Sequence, residues 1–130
     1  MSAVSVIPTR HLYDTTDSLL RFAMRADATL TGLCGLAIAF FADLNSHLEY
    51  ALGAVFVLYG LVVYSLTGLP ELRSAGAGVV GANIVVALGS LVAIEAVPMT
   101  AAGVAATLAT GAYAAAFAWL QYLGVRRLPA

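Results

Sequence analysis

An acidic residue early in a long apolar segment is the residue of this chain best placed to do chemistry. Asp27 lies in the stretch RFAMRADATLTG, which carries two arginines and one aspartate before the chain turns apolar. On a helix that turns about 100° per residue, Thr31 shares a face with Asp27, whereas Arg21 and Arg25 fall about 120° and about 160° away. Helical partners lie three or four residues apart on one face, so neither arginine pairs with Asp27 within this helix.

The depth of Asp27 makes a partner necessary. A helix that spans a membrane takes about 20 apolar residues. If the first apolar segment is such a helix and ends at Phe41, the hydrocarbon layer begins near Phe22, and Asp27 lies about five residues inside it. That distance is ~7 Å at 1.5 Å per residue. An unpaired carboxylate facing lipid there costs several kcal/mol. We therefore expect Asp27 to face the other helices, to be protonated, or to accept hydrogen bonds from another helix.

Polar side chains at a similar depth are the candidate partners. Asn83 lies near the middle of the third apolar segment (residues 75–94). Gln121 lies in the fourth (residues 99–123), at close to the same depth in the membrane as Asp27. The second segment offers hydroxyl groups at Tyr59, Tyr64 and Ser65, of which Tyr59 lies deeper and is interpreted as a packing residue. The side chain of Arg73, Arg126 or Arg127, at the same membrane face, could also reach Asp27. The predicted polar cluster consists of Asp27, Thr31, Tyr64, Asn83 and Gln121.

Two interpretations of this cluster remain open. In one, it is a polar clamp that fixes the register of the helices. In the other, it is a proton or substrate site, since an acidic group inside a membrane is by default a functional hypothesis. The shallow depth of Asp27 and the lack of a second acid inside the apolar segments favour the clamp.

The elements that must position these residues are predicted to be membrane-spanning helices. The 130 residues are 62% hydrophobic and 10% charged, whereas a soluble domain carries about a quarter charged residues. The predicted fold is all-α, an integral membrane bundle of four antiparallel transmembrane helices over residues 17–127, preceded by a flexible cytoplasmic tail at residues 1–16. The helices are predicted at residues 19–41, 50–66, 75–94 and 99–123, with Pro98 at the start of the last.

The arginines predict the orientation of the four spans. With four spans, all six arginines fall on one side of the membrane, in the N-terminal flank, the second loop and the C-terminal tail. The other side holds Asp43, Glu49 and Glu95 and no arginine. An excess of arginine marks the cytoplasmic face, so both termini are predicted to be cytoplasmic. An arginine-only, alanine-rich composition is typical of high-GC bacterial genomes, and the predicted location is the bacterial inner (plasma) membrane. The predicted topology anchors are Arg21, Arg25, Arg73, Arg126 and Arg127.

Small residues recur on one face of several spans. Helices in lipid associate through close approach at small residues rather than through burial of apolar surface. The residues predicted to pack helices together are Gly32, Gly78, Ala82, Gly89, Ala106 and Ala114. These stripes either pack within one bundle or face a partner subunit.

The sequence shows no constellation for catalysis or for a metal. Its one cysteine, Cys34, and its two separated histidines provide no ligand spacing. The net charge of −1 provides no basic field for nucleic acid. We therefore expect no cofactor and no enzyme, but an accessory, scaffold or interaction subunit that contacts membrane lipids and a membrane-protein partner or a second copy. The alternative is a small transporter, or a binder of lipids or small molecules, that uses Asp27 with Asn83 and Gln121.

Three stretches also carry a resemblance. LLRFAMRADATLTGLCGLA, GANIVVALGSL and FAWLQYLGVRR resemble small four-span bacterial membrane proteins of the actinobacterial type, whose function is unknown. The resemblance implies four spans and draws attention to Asp27, Asn83 and Gln121. It implies no mechanism.

Overall fold

Helices account for the regular structure in the part of the chain that is described. The computed structural model describes the backbone of residues 2–42 and 45–128, and the side chains of residues 17–42 and 45–128. Its helices are α1 (Ser2–Phe41), α2 (His47–Leu66), α3 (Arg73–Ala96) and α4 (Ala101–Arg126). The predicted all-α fold is confirmed. From Ser2 onward the predicted tail at residues 1–16 is part of α1, while its predicted flexibility and its cytoplasmic location stay predictions.

Each of the four helices contains a segment long and apolar enough to cross a membrane. In α1 this segment is Asp17–Phe41, and α2, α3 and α4 qualify over their whole length. The predicted number of candidate spans is therefore confirmed for the described residues.

Capping side chains set where the second and fourth helices begin. Ser46 precedes α2, and its hydroxyl accepts a hydrogen bond from the backbone N–H of Glu49 at 3.3 Å. Thr100 does the same for α4, accepting from Gly103 at 3.1 Å. These caps satisfy backbone donors that have no partner inside the helix. For this reason α2 begins at His47 rather than at the predicted residue 50, and α4 begins at Ala101 rather than at the predicted residue 99.

The helices pack in the order α2, α1, α4, α3. α1 packs closely against α2 and also against α4, and α3 packs mainly against α4. The buried apolar core lies near the end of the bundle where α2 finishes and α3 begins, and it is built around Leu20, Met24 and Val63. α2 and α3 are therefore the outer helices, each with one main neighbour.

Glycines let α1 and α2 approach each other closely. A Cβ atom at Gly35 would lie 2.6 Å from the carbonyl oxygen of Gly53, and one at Gly53 would lie 2.7 Å from that of Gly35. Further along the contact, a Cβ atom at Gly60 would lie 2.6 Å from the carbonyl oxygen of Ala28. No side chain fits at such distances, so the backbone contact between these helices requires glycine.

Only some of the predicted packing residues lie in contacts between helices. Gly32 lies beside Gly60 in the α1–α2 contact, and Ala114 is buried in α4. A Cβ atom added at Gly78 or at Gly89 would have no neighbouring atom within 4 Å among the described residues, so their predicted packing within the bundle is wrong. Ala82 and Ala106 are likewise exposed. The physical reason for the α3 residues is that α3, as an outer helix, turns much of its surface away from the protein.

Replacement of Gly35 by alanine tests this contact. We expect Gly35→Ala to lower the free energy of unfolding by about 1–3 kcal/mol, because the new methyl group meets backbone atoms that cannot move aside. The measurement is thermal or denaturant unfolding of the purified protein in detergent, followed by circular dichroism.

The matched control is Gly78→Ala. With open space around it, this change is expected to leave stability unchanged or to raise it by about 0.5–1 kcal/mol, the usual gain of alanine over glycine in a helix. Equal destabilisation by both substitutions would contradict the assigned α1–α2 contact.

Candidate functional site

Asp27 is fully buried and accepts hydrogen bonds from side chains of all four helices. Its Oδ2 atom accepts from the hydroxyl of Tyr59 at 2.9 Å, from Nδ2 of Asn83 at 3.0 Å, and from Nε2 of Gln121 at 2.9 Å. Oδ2 thus joins α1 to α2, α3 and α4. The group that meets here, called the Asp27 hub below, consists of Asp27, Thr31, Tyr59, Asn83, Tyr113 and Gln121.

The second carboxylate oxygen is bonded by two hydroxyl groups. Oδ1 of Asp27 accepts from Thr31 at 3.1 Å and from Tyr113 at 2.9 Å. Thr31 lies one turn above Asp27 on α1, as expected for residues four apart. The Tyr113 hydroxyl also lies 3.1 Å from the Thr31 hydroxyl and from the backbone oxygen of Asp27.

The two amide side chains close a ring with the carboxylate. Asn83 donates through Nδ2 both to Asp27 and to Oε1 of Gln121, the latter at 2.9 Å. Gln121 in turn donates through Nε2 to Asp27. Reversal of either amide would bring two acceptor oxygens together, so the ring holds both amides in one orientation. Asn83 and Gln121 are buried, and the ring provides hydrogen-bond partners for Nδ2 of Asn83 and for both polar atoms of Gln121.

The hub is built to hold a carboxylate. Five side-chain donors converge on the two oxygens of Asp27, and an ionised carboxyl group is the form that only accepts. Among the described residues, every side chain that bonds to Asp27 is neutral. An ionised Asp27 would therefore be stabilised by hydrogen bonds alone, without a cationic partner among the described residues.

The arginines nearest in sequence bind elsewhere. Arg21 forms a salt bridge with Asp17 at 2.7 Å and donates to the backbone oxygen of Thr67. Arg25 donates through Nε to the hydroxyl of Thr67 at 3.1 Å and lies over the ring of Tyr64. Both arginines thus join α1 to the end of α2, which is a contact beyond the predicted role of topology anchor.

The other predicted anchors lie at the end of α4 or close to it. Arg73 donates to the backbone oxygen of Leu128 at 3.2 Å. Arg126 lies over the ring of Tyr122, and Arg127 is the exposed residue that caps α4.

The predicted cluster differs from the hub at the tyrosines. Asp27, Thr31, Asn83 and Gln121 come together, but Tyr64 is half exposed and lies on the side of Arg25. Tyr59 occupies the place predicted for Tyr64. The two are five residues apart, so they point about 140° away from each other on α2, and only one of them can face Asp27.

Tyr113 is not predicted as a hub residue, because the sequence argument compares only the positions of residues along the helix axis. It lies eight residues before Gln121, or ~12 Å along α4, at 1.5 Å per residue. Both residues bond to Asp27, because the long tyrosine side chain covers the difference in height. A signal is present in the sequence, since a tyrosine amid the alanines of α4 places a hydroxyl in an apolar segment, where it needs a partner.

A cleft of about 410 Å³ adjoins the hub. Hub residues from all four helices form its polar end, and its walls are apolar. Exposed Val55 of α2 and Val86 of α3 lie at its edge, which places its mouth between the two outer helices. The residues that line this hub cleft are Leu30, Thr31, Cys34, Val55, Phe56, Tyr59, Ala82, Asn83, Val86, Ala109, Thr110, Tyr113 and Ala114.

Comparisons with known proteins provide no template for this arrangement. No protein family, no curated protein and no solved structure matches the chain. Within the described residues, no three histidine, cysteine or carboxylate side chains lie close enough together to hold a metal ion.

Removal of single hydroxyl groups tests the membership of the hub. We expect Tyr59→Phe to lower the free energy of unfolding by about 0.6 kcal/mol, the average for hydrogen bonds between membrane helices, and by no more than about 1.7 kcal/mol, the largest value measured for them. Unfolding in mixed micelles with increasing denaturing detergent provides the measurement.

Tyr64→Phe is the control, because the Tyr64 ring stays available to Arg25 and its hydroxyl is outside the hub. Its effect is expected to stay within about 0.5 kcal/mol. A larger loss for Tyr64→Phe than for Tyr59→Phe would restore the cluster predicted from the sequence.

Proposed function

We propose that this protein is a non-enzymatic integral membrane protein that acts through helix packing, as a scaffold or accessory subunit. The observation that carries the proposal is that Asp27 is fully buried and fully hydrogen-bonded within the chain. Its side chain is 0% exposed, and its accepting capacity is taken up by five donors of the same chain. An acid in this state holds helices together and has no free lone pair to offer a substrate.

The energetics support a structural role. Hydrogen bonds between helices in membranes contribute about 0.6 kcal/mol each on average. Four of the five donors belong to helices other than α1, so together they add about 2 kcal/mol to the association of the bundle. Loss of Asp27 would also leave buried donors without acceptors, which costs more than the bonds themselves contribute.

The arrangement in the membrane is part of the same proposal. Along the α1–α2 contact, Gly35 lies against Gly53 near one end and Arg25 bonds to Thr67 near the other, which supports antiparallel packing. Large apolar side chains such as Phe40 and Leu61 are exposed, and this surface suits lipid. We propose a bacterial plasma membrane protein with both termini in the cytoplasm. The resemblance to small four-span actinobacterial-type proteins agrees with this and is retained as a proposal.

A second candidate function is supported by the hub cleft. In this alternative the protein is a small transporter or binder of lipids or small molecules. Thr31, Tyr59, Asn83 and Tyr113 belong both to the hub and to the lining of the cleft, so a ligand there would lie directly beside the groups that bond Asp27. In this case the hub would be the polar end of a binding site.

Isolation from native membranes in a mild detergent tests the scaffold proposal. We expect a membrane-protein partner to copurify in a fixed stoichiometric ratio, read out by mass spectrometry and size-exclusion chromatography with light scattering. The control is the same isolation from cells that lack the tagged protein, which identifies proteins that copurify non-specifically. A monodisperse preparation of this chain alone, with no partner, would contradict the accessory role.

The Asp27→Asn variant separates the two candidate functions. The scaffold proposal expects a loss of about 1–3 kcal/mol in the free energy of unfolding and a lower protein level, because the amide can no longer accept from every donor of the hub. If instead the fold and the level are preserved while a growth phenotype of the deletion strain is not rescued, Asp27 acts as a functional site.

Labelling of single cysteines tests the orientation. In a Cys34→Ala background, Leu48→Cys is expected to react with a membrane-impermeant maleimide in intact cells. Leu69→Cys is expected to react only after the cells are permeabilised, since it lies in the loop that precedes Arg73, on the proposed cytoplasmic side. Both positions are exposed in the protein, so reversed accessibility would overturn the proposed topology.

A further inference from the structure

We propose that the hub cleft binds a lipophilic cation, that is, an apolar or aromatic molecule that carries one positive charge of the ammonium or phosphonium kind. The inference rests on the second candidate function, binding in the cleft. It adds the chemical class of the ligand.

The charge of Asp27 provides the first argument. The carboxylate is buried, and all its side-chain partners in the described chain are neutral, namely Thr31, Tyr59, Asn83, Tyr113 and Gln121. Hydrogen bonds solvate the charge but do not cancel it. In a medium of low dielectric constant the field of one charge extends much further than in water. The cleft, whose polar end is made of the same side chains, lies within that field, which favours a positive occupant.

The polar end of the cleft offers groups that suit a cation. Asn83 uses Nδ2 for both of its hub bonds, and its Oδ1 accepts no hydrogen bond from the described residues. Asn83 lines the cleft, so this oxygen is available as an acceptor there. The rings of Tyr59, Tyr113 and Phe56 also line it, and aromatic faces attract cations, most strongly where water is excluded.

The remainder of the cleft suits the apolar part of such a ligand. Its volume of about 410 Å³ lies in the range of sites for small molecules. Leu30, Val55 and Val86 form its outer walls and are exposed at the surface. A molecule dissolved in the lipid can therefore enter from the side, between α2 and α3, without crossing a polar barrier.

Two ions of nearly the same size and shape provide the test. Tetraphenylphosphonium and tetraphenylborate differ in the sign of their charge, and both partition into lipid. Binding of each is measured by equilibrium dialysis against the full chain in lipid nanodiscs, with empty nanodiscs subtracted. We expect the cation to bind at least 10-fold more tightly than the anion.

Cys34 reports where the ion binds. It is the single cysteine of the chain, it is exposed, and it lines the cleft. We expect tetraphenylphosphonium to slow its alkylation by uncharged N-ethylmaleimide at least 5-fold, and tetraphenylborate to leave the rate unchanged. This readout uses the unaltered protein and does not depend on a variant that folds.

A pair of alanine substitutions on α4 locates the site independently. Ala109 lines the cleft, whereas Ala115 is exposed and lies outside its lining. We expect Ala109→Phe to weaken binding of the cation at least 10-fold, because the ring fills the cleft, and Ala115→Phe to have no effect.

The outcomes distinguish the inference from the function on which it rests. Cation binding with protection of Cys34 and loss in Ala109→Phe supports it. Equal binding of both ions in the cleft overturns the preference for a cation and leaves the binder proposal standing. Cation binding without protection of Cys34, or unchanged in a folded Ala109→Phe variant, overturns the site. Binding of neither ion overturns the inference and removes the support that the cleft provides for the binder.

Discussion

The arrangement of the four helices depends on one buried carboxylate that is shared among them. Asp27 supplies two oxygens, and five side chains on four helices donate to them. In an apolar bundle a carboxylate with fewer donors is strongly destabilising, so the bonds are required together rather than one by one. This requirement fixes the rotation and the height of each helix about the hub. It constrains α2 and α3 most, because each of them has only one main packing neighbour.

Close packing and the hub act on different features of the bundle. The glycine contact brings α1 and α2 near each other at Gly35, Gly53 and Gly60, and small residues alone allow helices to slide along one another. The hub adds a point of fixed register to that contact. Thr67, which accepts from Arg25 and from Arg21 near the end of α2, adds a second fixed point. Two such points on one helix pair define both its distance and its register, which apolar burial in lipid does not provide.

Face and depth are sufficient to predict the hub residues with short side chains. Asp27, Asn83 and Gln121 meet close to where their positions along the spans place them, and Thr31 follows from helical spacing. The tyrosines are not predictable in this way, since their reach exceeds one helical turn and the rotation of α2 decides between Tyr59 and Tyr64. The rotation of α2 about its own axis follows from its glycine contact with α1. That contact depends on both helices, so the sequence of α2 alone does not predict it. For a similar reason the packing within the bundle predicted for Gly78 and Gly89 of α3 is wrong, because spacing shows which residues share a face but not whether another helix of the bundle covers it.

A structural clamp and a binding site are compatible in this fold. The hub holds α2 and α3 through side chains rather than through contact between the two helices, and the space left between them is the cleft. The side chains that make the clamp therefore also make the polar end of the cleft, at Tyr59, Asn83 and Tyr113. A salt bridge in place of the neutral donors would have cancelled the charge of Asp27 and removed its field from the cleft. Because the donors are neutral, the five bonds that stabilise the bundle do not cancel the charge of an ionised Asp27, and the cleft lies beside that group.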